Sequence, residues 1–338
     1  MDIRKSTLSA AVAAFMMAGM AGQASAYTSA GSKIEYENLE INIGGLAAGQ
    51  VDNFNFVTTN TTTLNGTTIA DSDSCAGIPG VTNNCNAAPP RLNSDLQALG
   101  TTAHTENNFD LDGPNAGTQY SYSDSAIITA QLTGDAATSA GLIAETELLT
   151  TGGGNSLANI QSTTGFSFTF IVDDSGTLDL EFDANPEAYA ASDNPGSILT
   201  IAESSVSMNF LLSQDKDAAG NDVSGNSAKW VPDGNDTNGC EIEGGSLSCS
   251  GEQDDETLNG KTGVTSDPAS DFLSDNGNAF SHFEILVSGL ASGEWTFTFT
   301  TTVANSVQKV KVPEPGIILL LGAGLAGFGV ARRKIKKA

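Results

Sequence analysis

The chain has little positive charge and very little histidine. Of its 338 residues, 14 are lysine or arginine, 40 are aspartate or glutamate, and two are histidine. Residues 27–313 hold 38 acidic and 7 basic residues, a net charge of −31. Such a surface repels nucleic acids and anionic membranes, which excludes both as partners of this stretch. His104 lies in a polar stretch and His282 lies beside Phe280, so we interpret both histidines as structural residues.

The sequence also lacks the short motifs of common enzyme classes. It contains no Gly-x-Ser-x-Gly, no His-Glu-x-x-His and no phosphate-binding glycine loop. Carboxylates occur throughout, so no pair can be assigned to glycoside hydrolysis, which needs two carboxyl groups about 5–10 Å apart in a cleft. We therefore predict a non-catalytic protein with no certain cofactor. An extracellular glycan hydrolase is the alternative from another class.

Only four cysteines are present, and they fall into two close pairs. Cys75 and Cys85 lie ten residues apart, and Cys240 and Cys249 lie nine apart. Four cysteines allow three pairings. We favour local pairing, because each bond then closes a short loop rich in glycine and asparagine. A metal site with four thiolates is disfavoured, since its cysteines are typically two to four residues apart. Two disulfides indicate an oxidising compartment.

The first 26 residues have the organisation of a secretory signal peptide. Arg4 and Lys5 precede a short apolar stretch, and Ala24, Ser25 and Ala26 supply a small-x-small cleavage pattern. Cleavage there makes Tyr27 the first residue of the mature protein. The apolar stretch is too short to be a stable membrane anchor. We therefore expect passage through the general secretion machinery.

The last 26 residues have three distinct parts. They begin with Pro313, Glu314 and Pro315, where proline enforces an extended and accessible backbone. An uncharged apolar run follows at residues 316–331, and as a helix it would extend roughly 24 Å, nearly the thickness of a membrane core. The chain ends with five cations: Arg332, Arg333, Lys334, Lys336 and Lys337. These cations should stay in the cytoplasm, which places the preceding chain outside it.

This tail resembles the PEP-CTERM sorting signal of Gram-negative bacteria, whose members are substrates of exosortase. The resemblance is confined to the tail. It implies recognition in the inner membrane and cleavage near Pro313, Glu314 and Pro315. It also implies transient residence in the inner membrane, followed by release to the cell surface or to an extracellular, exopolysaccharide-rich matrix such as a biofilm. A permanent tail anchor that keeps its cationic end is the alternative.

Between the two targeting ends, residues 27–303 alternate between apolar and polar side chains. At residues 165–183, three phenylalanines and later three apolar residues alternate with polar ones around an Asp-Asp-Ser-Gly turn at 173–176, which predicts a hairpin. Further strands are predicted at 34–43, 51–57, 119–132, 197–212, 280–290 and 294–303, with a turn at 291–293 joining the last two. The fold class predicted is mainly β, an antiparallel β-sandwich-like body with long loops.

Several stretches of this body lack clear alternation. Residues 60–115 and 213–274 are polar and glycine-rich, and we predict loop-rich insertions that each contain one cysteine pair. Residues 136–150 fit either a short helix or a strand of small residues. Residues 304–312 are predicted to link the body to the tail.

Calcium is the candidate ligand, because two segments within 213–274, at 215–222 and 233–239, place oxygen-bearing side chains around a glycine turn. The candidate residues are Asp215, Asp217, Asp222, Asp233, Asn235 and Asp236. Neither segment matches a helix-loop-helix calcium site, so a solvated Asx turn is the alternative.

Exposed aromatic residues are the usual means of holding sugars, and the chain offers few candidates. Phe166, Phe168, Phe170 and Trp295 alternate with polar residues, which predicts a buried core face. Trp230 falls in a predicted loop and is the freer candidate for a sugar platform. The prediction for the whole chain is an exported structural or adhesive protein of the cell surface or matrix. Extracellular polysaccharide is its candidate partner, and a secreted carbohydrate-binding, calcium-dependent module is the alternative.

Overall fold

The computed structural model describes residues 27–77, 91–114, 119–128, 138–149, 156–193, 198–235, 239–254, 256–265, 269–274 and 279–311. Every regular element in these residues is a β-strand. In chain order the strands are β1 Tyr27–Leu64, β2 Thr67–Gly77, β3 Arg91–Gly100, β4 Tyr120–Ile128, β5 Thr138–Leu149, β6 Ser156–Ser192, β7 Ile198–Asp217, β8 Ser227–Trp230, β9 Cys240–Glu243, β10 Ser248–Asp254, β11 Gly260–Thr265, β12 Ala269–Ser274 and β13 Ser281–Lys311. The predicted signal peptide and C-terminal membrane helix lie outside the described residues.

All thirteen strands belong to one antiparallel sheet. Its main path runs β3-β4-β5-β1-β6-β13-β7-β8-β9, and the other four strands pair with β1, β6, β7 or β13. Strands β1, β6 and β13 are unusually long, with 38, 37 and 31 residues, and they lie side by side at the centre. The predicted mainly β class and antiparallel pairing are confirmed.

The long strands fold back, so that the sheet forms two facing layers. Tyr36 of β1 pairs in register with Ala184 of β6, and Phe299 of β13 pairs with Phe166 of β6. Ala184 and Phe166 are 18 residues apart and would be about 60 Å apart in a straight strand. Yet the rings of Tyr36 and Phe299 are 5.3 Å apart. The first layer therefore contains the start of β1, the end of β6 and the start of β13, and the second layer contains their other halves.

The fold-back occurs at the same level in all three strands. In β6 it lies at 173–176, where Asp173, Asp174 and Ser175 are exposed, and β1 bends beside it at Gly44 and Gly45. Gly45 has φ of 79°, and a Cβ placed there would lie 2.2 Å from the carbonyl oxygen of Ser175. Glycine is required at this position, because a side chain would need both a disfavoured backbone conformation and space that the neighbouring strand fills.

The predicted hairpin at 165–183 is therefore wrong, and the turn predicted at 291–293 does not separate two strands. The chain does reverse at 173–176, but the two halves of β6 pair with β1 and β13 and face each other across the layers. In β13 the bend at 289–293 interrupts the register without ending the strand. A polar turn between two alternating segments occurs both in a hairpin and in a strand that folds back between layers, so the local sequence pattern does not distinguish the two.

The interior near the bend is aromatic. Phe166, Phe168, Phe170 and Trp295 are all buried, as predicted. Phe182 of the first layer packs against Phe210 of the second, with ring centroids 5.4 Å apart. Burial of side chains of this size contributes about 1.5–3 kcal/mol each, which makes this cluster a main source of stability.

Away from the bend, the interior is lined by small polar side chains that bond across the layers. Ser32 donates to Asn305 over 3.0 Å, and Asn60 donates to Ser125 over 3.1 Å. Burying a hydroxyl or amide without a partner costs free energy, so these pairs specify how the two layers align.

Three local predictions need correction, and one alternative that the sequence left open is decided. The stretches expected to be loop-rich, 60–115 and 213–274, contain β2 and β3, and β8 to β12. These strands show little alternation because they are short and most of them carry polar side chains on both faces. Residues 136–150, left open as helix or strand, contain β5. The predicted linker continues β13 as far as Lys311. Trp230 lies in β8 and is 2% exposed, so it is unsuited to be a sugar platform.

Candidate functional site

A segment between β3 and β4 covers part of the outer face of the first layer. We call residues 101–114 the strap. Its Phe109 and Leu111 pack with Tyr120, Tyr122 and Ile143. Two glycines make room for it, since a Cβ at Gly141 would lie 2.5 Å from Phe109 and one at Gly31 would lie 3.0 Å from Leu111. The strap thereby buries polar groups that would otherwise face solvent.

Glu145 of β5 is the central polar group beneath the strap. Its carboxylate accepts hydrogen bonds from the hydroxyls of Tyr122 and Tyr189, and from the backbone N–H groups of Asp112 at 2.9 Å and Gly113 at 2.8 Å. Glu145 is completely buried, and this burial raises its pKa to about 7 despite the four donors. The carboxylate therefore fastens the strap to β4, β5 and β6.

A second buried carboxylate fastens the other end of the strap. Asp124 of β4 accepts a hydrogen bond from the backbone N–H of Asn107, and its Oδ2 lies 3.9 Å from Nε2 of His104. The His104 ring stacks on Tyr122 at 4.0 Å, and burial lowers its pKa. The structural role assigned to His104 agrees with these contacts. The other histidine, His282, lies on a half-exposed surface, where its Nδ1 donates to the Asp183 carboxylate over 3.0 Å.

Sequence reasoning missed the Glu145 cluster. Tyr120 and Tyr122 lie within the strand predicted at 119–132 and were given no further role, and Glu145 is one of 40 acidic residues. The only available signal was the combination of a Tyr-x-Tyr strand with an acidic residue inside an apolar segment. That pattern says nothing about the strap, which supplies two of the four hydrogen bonds.

The first predicted calcium loop is an Asx turn. The carboxylate of Asp217 accepts the backbone N–H groups of Ala219 and Asn221, both at 2.9 Å. Hydrogen bonds with Asn221 also lower the pKa of Asp217. Asp215 accepts a hydrogen bond from Thr296, and the backbone of Asp222 forms an isolated β-bridge with that of Lys216. The carboxylates of Asp215 and Asp217 are thus engaged by neighbouring groups of the protein.

The second predicted calcium loop is held by a carboxylate from outside the loop. The backbone N–H groups of Asp233 and Gly234 donate to Asp254, at 2.8 and 3.1 Å. Asn235 follows in the described chain, whereas Asp236 lies outside the described residues. Within the described ranges, no group of three or more histidine, cysteine, aspartate or glutamate side chains is arranged to hold a metal. Calcium binding stays a prediction.

One of the two predicted disulfides is present in the described chain. Cys240 of β9 is bonded to Cys249 of β10. Because β9 extends the second layer and β10 pairs with the start of β13 in the first, the bond links the two layers. Cys75 is buried and is not a free thiol, and its predicted partner Cys85 lies outside the described residues.

The two ends of the body lie together, far from the bend. Strand β1 begins at Tyr27, which pairs in register with Leu149. Near the end of β13, the Lys309 ammonium donates to the carbonyl oxygen of Leu149 over 3.0 Å. The predicted mature N-terminus and the start of the C-terminal tail therefore emerge from the same end of the molecule.

Most of the predicted processing residues lie outside the described residues. This holds for the signal-cleavage residues Ala24 and Ala26 and for the tail residues Pro313, Glu314, Pro315, Arg332, Arg333 and Lys334. The predicted membrane span at 316–331 also lies outside them. In the part of the chain that the structure does describe, no helix is long and apolar enough to cross a membrane.

Comparison with known protein families matches residues 311–334 to the PEP-CTERM protein-sorting motif. The tail is a PEP-CTERM sorting motif. The match confirms the resemblance drawn from the tail residues, and it is confined to them. No curated protein matches the chain, and no solved structure does.

The PEP-CTERM motif begins where the body ends. Its first matched residue, Lys311, is also the last residue of β13. Strand β13 lies between β6 and β7 in the sheet, so the motif is connected to a central strand. The motif therefore attaches to a strand that is paired on both sides, and it indicates export and membrane-associated sorting toward the cell surface.

Proposed function

We propose that this protein is exported, cut by exosortase near Pro313, Glu314 and Pro315, and then acts as a non-catalytic structural or adhesive component of the cell surface or exopolysaccharide matrix. The observation that carries the proposal is the PEP-CTERM motif at residues 311–334, continuous with β13. Secretion machinery and exosortase are the processing partners, and the inner membrane is a transient location.

The shape of the body supports this role. Because Tyr27 and the start of the motif share one end, a protein held by its tail presents its bend away from the membrane. The acidic body, with a net charge of −31 over residues 27–313, is repelled by anionic lipid and stays extended into the surrounding medium. A disulfide between the layers suits an oxidising exterior.

The test is cell fractionation combined with intact mass measurement in cells with and without exosortase. We expect a species that begins at Tyr27 and ends near Pro315 outside the inner membrane of normal cells. Cells without exosortase should retain the cationic tail in the inner membrane. Replacing Pro313, Glu314 and Pro315 together by alanine should reproduce that retention, whereas Gln308→Ala, at an exposed position of β13, should not.

Identical fractions and masses in the two kinds of cell would contradict the proposal. The protein would then be an ordinary tail-anchored protein, and its assignment to the surface or matrix would have no support.

A further inference from the structure

The outer face of the second layer is lined by hydroxyl groups. Strands β2, β1, β6, β13 and β7 lie side by side there, and their registers place one outward residue of each strand in a transverse row. That row consists of Ser72, Thr59, Thr163, Thr302 and Ser207. All five side chains are exposed or half-buried. We call this row, together with the two rows on each side of it, the hydroxyl face. Its five rows run from Asn55 to Thr63 on β1 and from Thr298 to Ser306 on β13.

The hydroxyl face is nearly uncharged. Of the described side chains in its five rows, only Glu203 is charged, and it lies at the margin beside Lys261, 3.1 Å away. The outer face of the first layer is the opposite. There Asp183 and Glu181 of β6 lie in register with Glu37 and Glu40 of β1. The charge of this acidic protein is therefore segregated, and one broad sheet surface is left neutral.

The side chains of the hydroxyl face retain hydrogen-bonding capacity. A hydroxyl offers one donor and two acceptor lone pairs, so a contact such as Thr163 to Thr302, at 3.3 Å, leaves part of that capacity for solvent or a ligand. Because the backbone is fixed in the sheet, these groups are held in a regular array with little conformational freedom to lose on binding. Ser207, on the last strand of the array, already donates to Asn259 over 3.0 Å, so the capacity available to a ligand lies on the other four hydroxyls of the central row, which are exposed or half-buried.

The dimensions of this face argue against a stable contact with a second copy of the chain. Five strands at about 4.8 Å and five rows at about 6.8 Å give an area of about 19 by 27 Å, or about 500 Å². A stable interface between proteins needs about 800 Å² on each side and a more apolar centre. A repetitive polymer can instead accumulate weak contacts over many molecules.

We propose that the hydroxyl face binds a neutral, hydroxyl-rich polysaccharide. This inference rests on the proposed surface or matrix function and names its partner. Sugar hydroxyls can donate to and accept from the threonine and serine side chains, and no charge must be desolvated. An anionic polysaccharide is disfavoured by the acidic remainder of the body.

The experiment measures retention of the purified mature protein on microcrystalline cellulose, curdlan and cross-linked dextran, with immobilised alginate as the anionic comparison. We expect retention on at least one neutral polysaccharide and none on alginate. Thr302→Asp places a charge at the centre of the face and should weaken retention at least tenfold. Ser250→Asp places the same charge on an exposed position of β10 in the other layer, and should change retention less than twofold.

Two further variants show whether a loss of retention results from misfolding. Thr59→Asp probes the same row at an exposed position of β1, and Thr163→Val removes a hydroxyl while keeping the shape of the side chain. Each should weaken retention severalfold without lowering the melting temperature. Absence of retention on every neutral polysaccharide overturns the inference, and so does an equal effect of Thr302→Asp and Ser250→Asp.

A last outcome separates the polysaccharide from a second copy. If sedimentation shows a dimer that Thr302→Asp dissociates, the face is a self-contact and the inference is wrong. The retention assay can be repeated with uncut protein from cells without exosortase, because the hydroxyl face lies in the body and not in the tail. Failure of the sorting experiment therefore leaves its result unaffected, and the two proposals fail separately.

Discussion

Replacing Glu145 by glutamine should change how the stability of the protein depends on pH. The carboxyl of Glu145 is completely buried and is faced by the hydroxyls of Tyr122 and Tyr189 and by the backbone N–H groups of Asp112 and Gly113. The Asp112 carboxylate is also close enough to disfavour ionisation. Burial raises the pKa of Glu145 to about 7, from an ordinary value of 4.5.

The sign and size of the effect follow from proton linkage. Between pH 4.5 and about 7 the folded protein holds a proton on Glu145 that the unfolded chain has lost, so the free energy of unfolding falls as pH rises through this range. The difference between the two pKa values corresponds to about 3 kcal/mol. Glutamine does not titrate, so Glu145→Gln removes this part of the pH dependence.

The assay is denaturant unfolding of both proteins at pH 5 and pH 8. Relative to the unsubstituted protein, we expect Glu145→Gln to gain about 3 kcal/mol on going from pH 5 to pH 8. Glu37→Gln, at an exposed position of β1, is the matched control, since it removes one negative charge without touching the strap. It accounts for the general self-repulsion of an acidic protein, which also grows with pH.

Hydrogen exchange locates the effect in the structure. The amide protons of Asp112 and Gly113 are bonded to Glu145 and should exchange faster at pH 8 than the intrinsic rate alone requires. If the stability difference between Glu145→Gln and the unsubstituted protein is the same at both pH values, burial does not govern the ionisation of this group. The assignment of Glu145 as the pH-sensitive fastening of the strap would then be refuted.

Three further outcomes can be measured on the same protein. Replacing Cys240 and Cys249 by serine should lower the free energy of unfolding by about 3 kcal/mol under oxidising conditions, the effect of opening a ten-residue loop, and should make stability insensitive to reductant at this bond. Gly45→Ala should cost at least 2 kcal/mol in a thermal melt, and Gly66→Ala about 1 kcal/mol. Both have positive φ, but only Gly45 lacks space for a Cβ. Melting temperatures in millimolar calcium and in chelator should agree, because the Asp217 carboxylate is already occupied by its own loop. An increase of several degrees in calcium would contradict this expectation and support calcium binding.

Alternation in the sequence was sufficient to predict segments of the long central strands, but neither the short strands β2, β3 and β8 to β12 nor the arrangement of the sheet. Alternation at 165–183 and 294–303 correctly places Phe166, Phe168 and Trp295 inside, because the faces of a strand differ whichever neighbours it pairs with. The same alternation is compatible with a hairpin and with a fold-back between layers. Only the register with β1 and β13 distinguishes the two, and that register depends on residues more than 100 positions away.

The tail could be recognised from the sequence alone, whereas the Glu145 cluster could not. Pro313, Glu314 and Pro315 were recognisable because the sorting motif is read as a short linear sequence, and no fold is needed to bring its parts together. Glu145 was not recognisable, since its four donors come from β4, β6 and the strap. A buried carboxylate is defined by what covers it, and the covering segment has no pattern of its own.

The positions of the two ends connect the fold to its sorting. Fold-back of β1, β6 and β13 at one level places the start of β1 and the end of β13 at the opposite end of the body. If β13 did not bend, its C-terminal end would lie away from β5 of the first layer, and the contact between Lys309 and Leu149 could not form. A substitution that opens the bend should therefore impair sorting as well as stability. Gly45→Ala, which acts more than 200 residues from the motif, should accumulate uncut protein in the inner membrane, whereas Gly66→Ala should be processed normally.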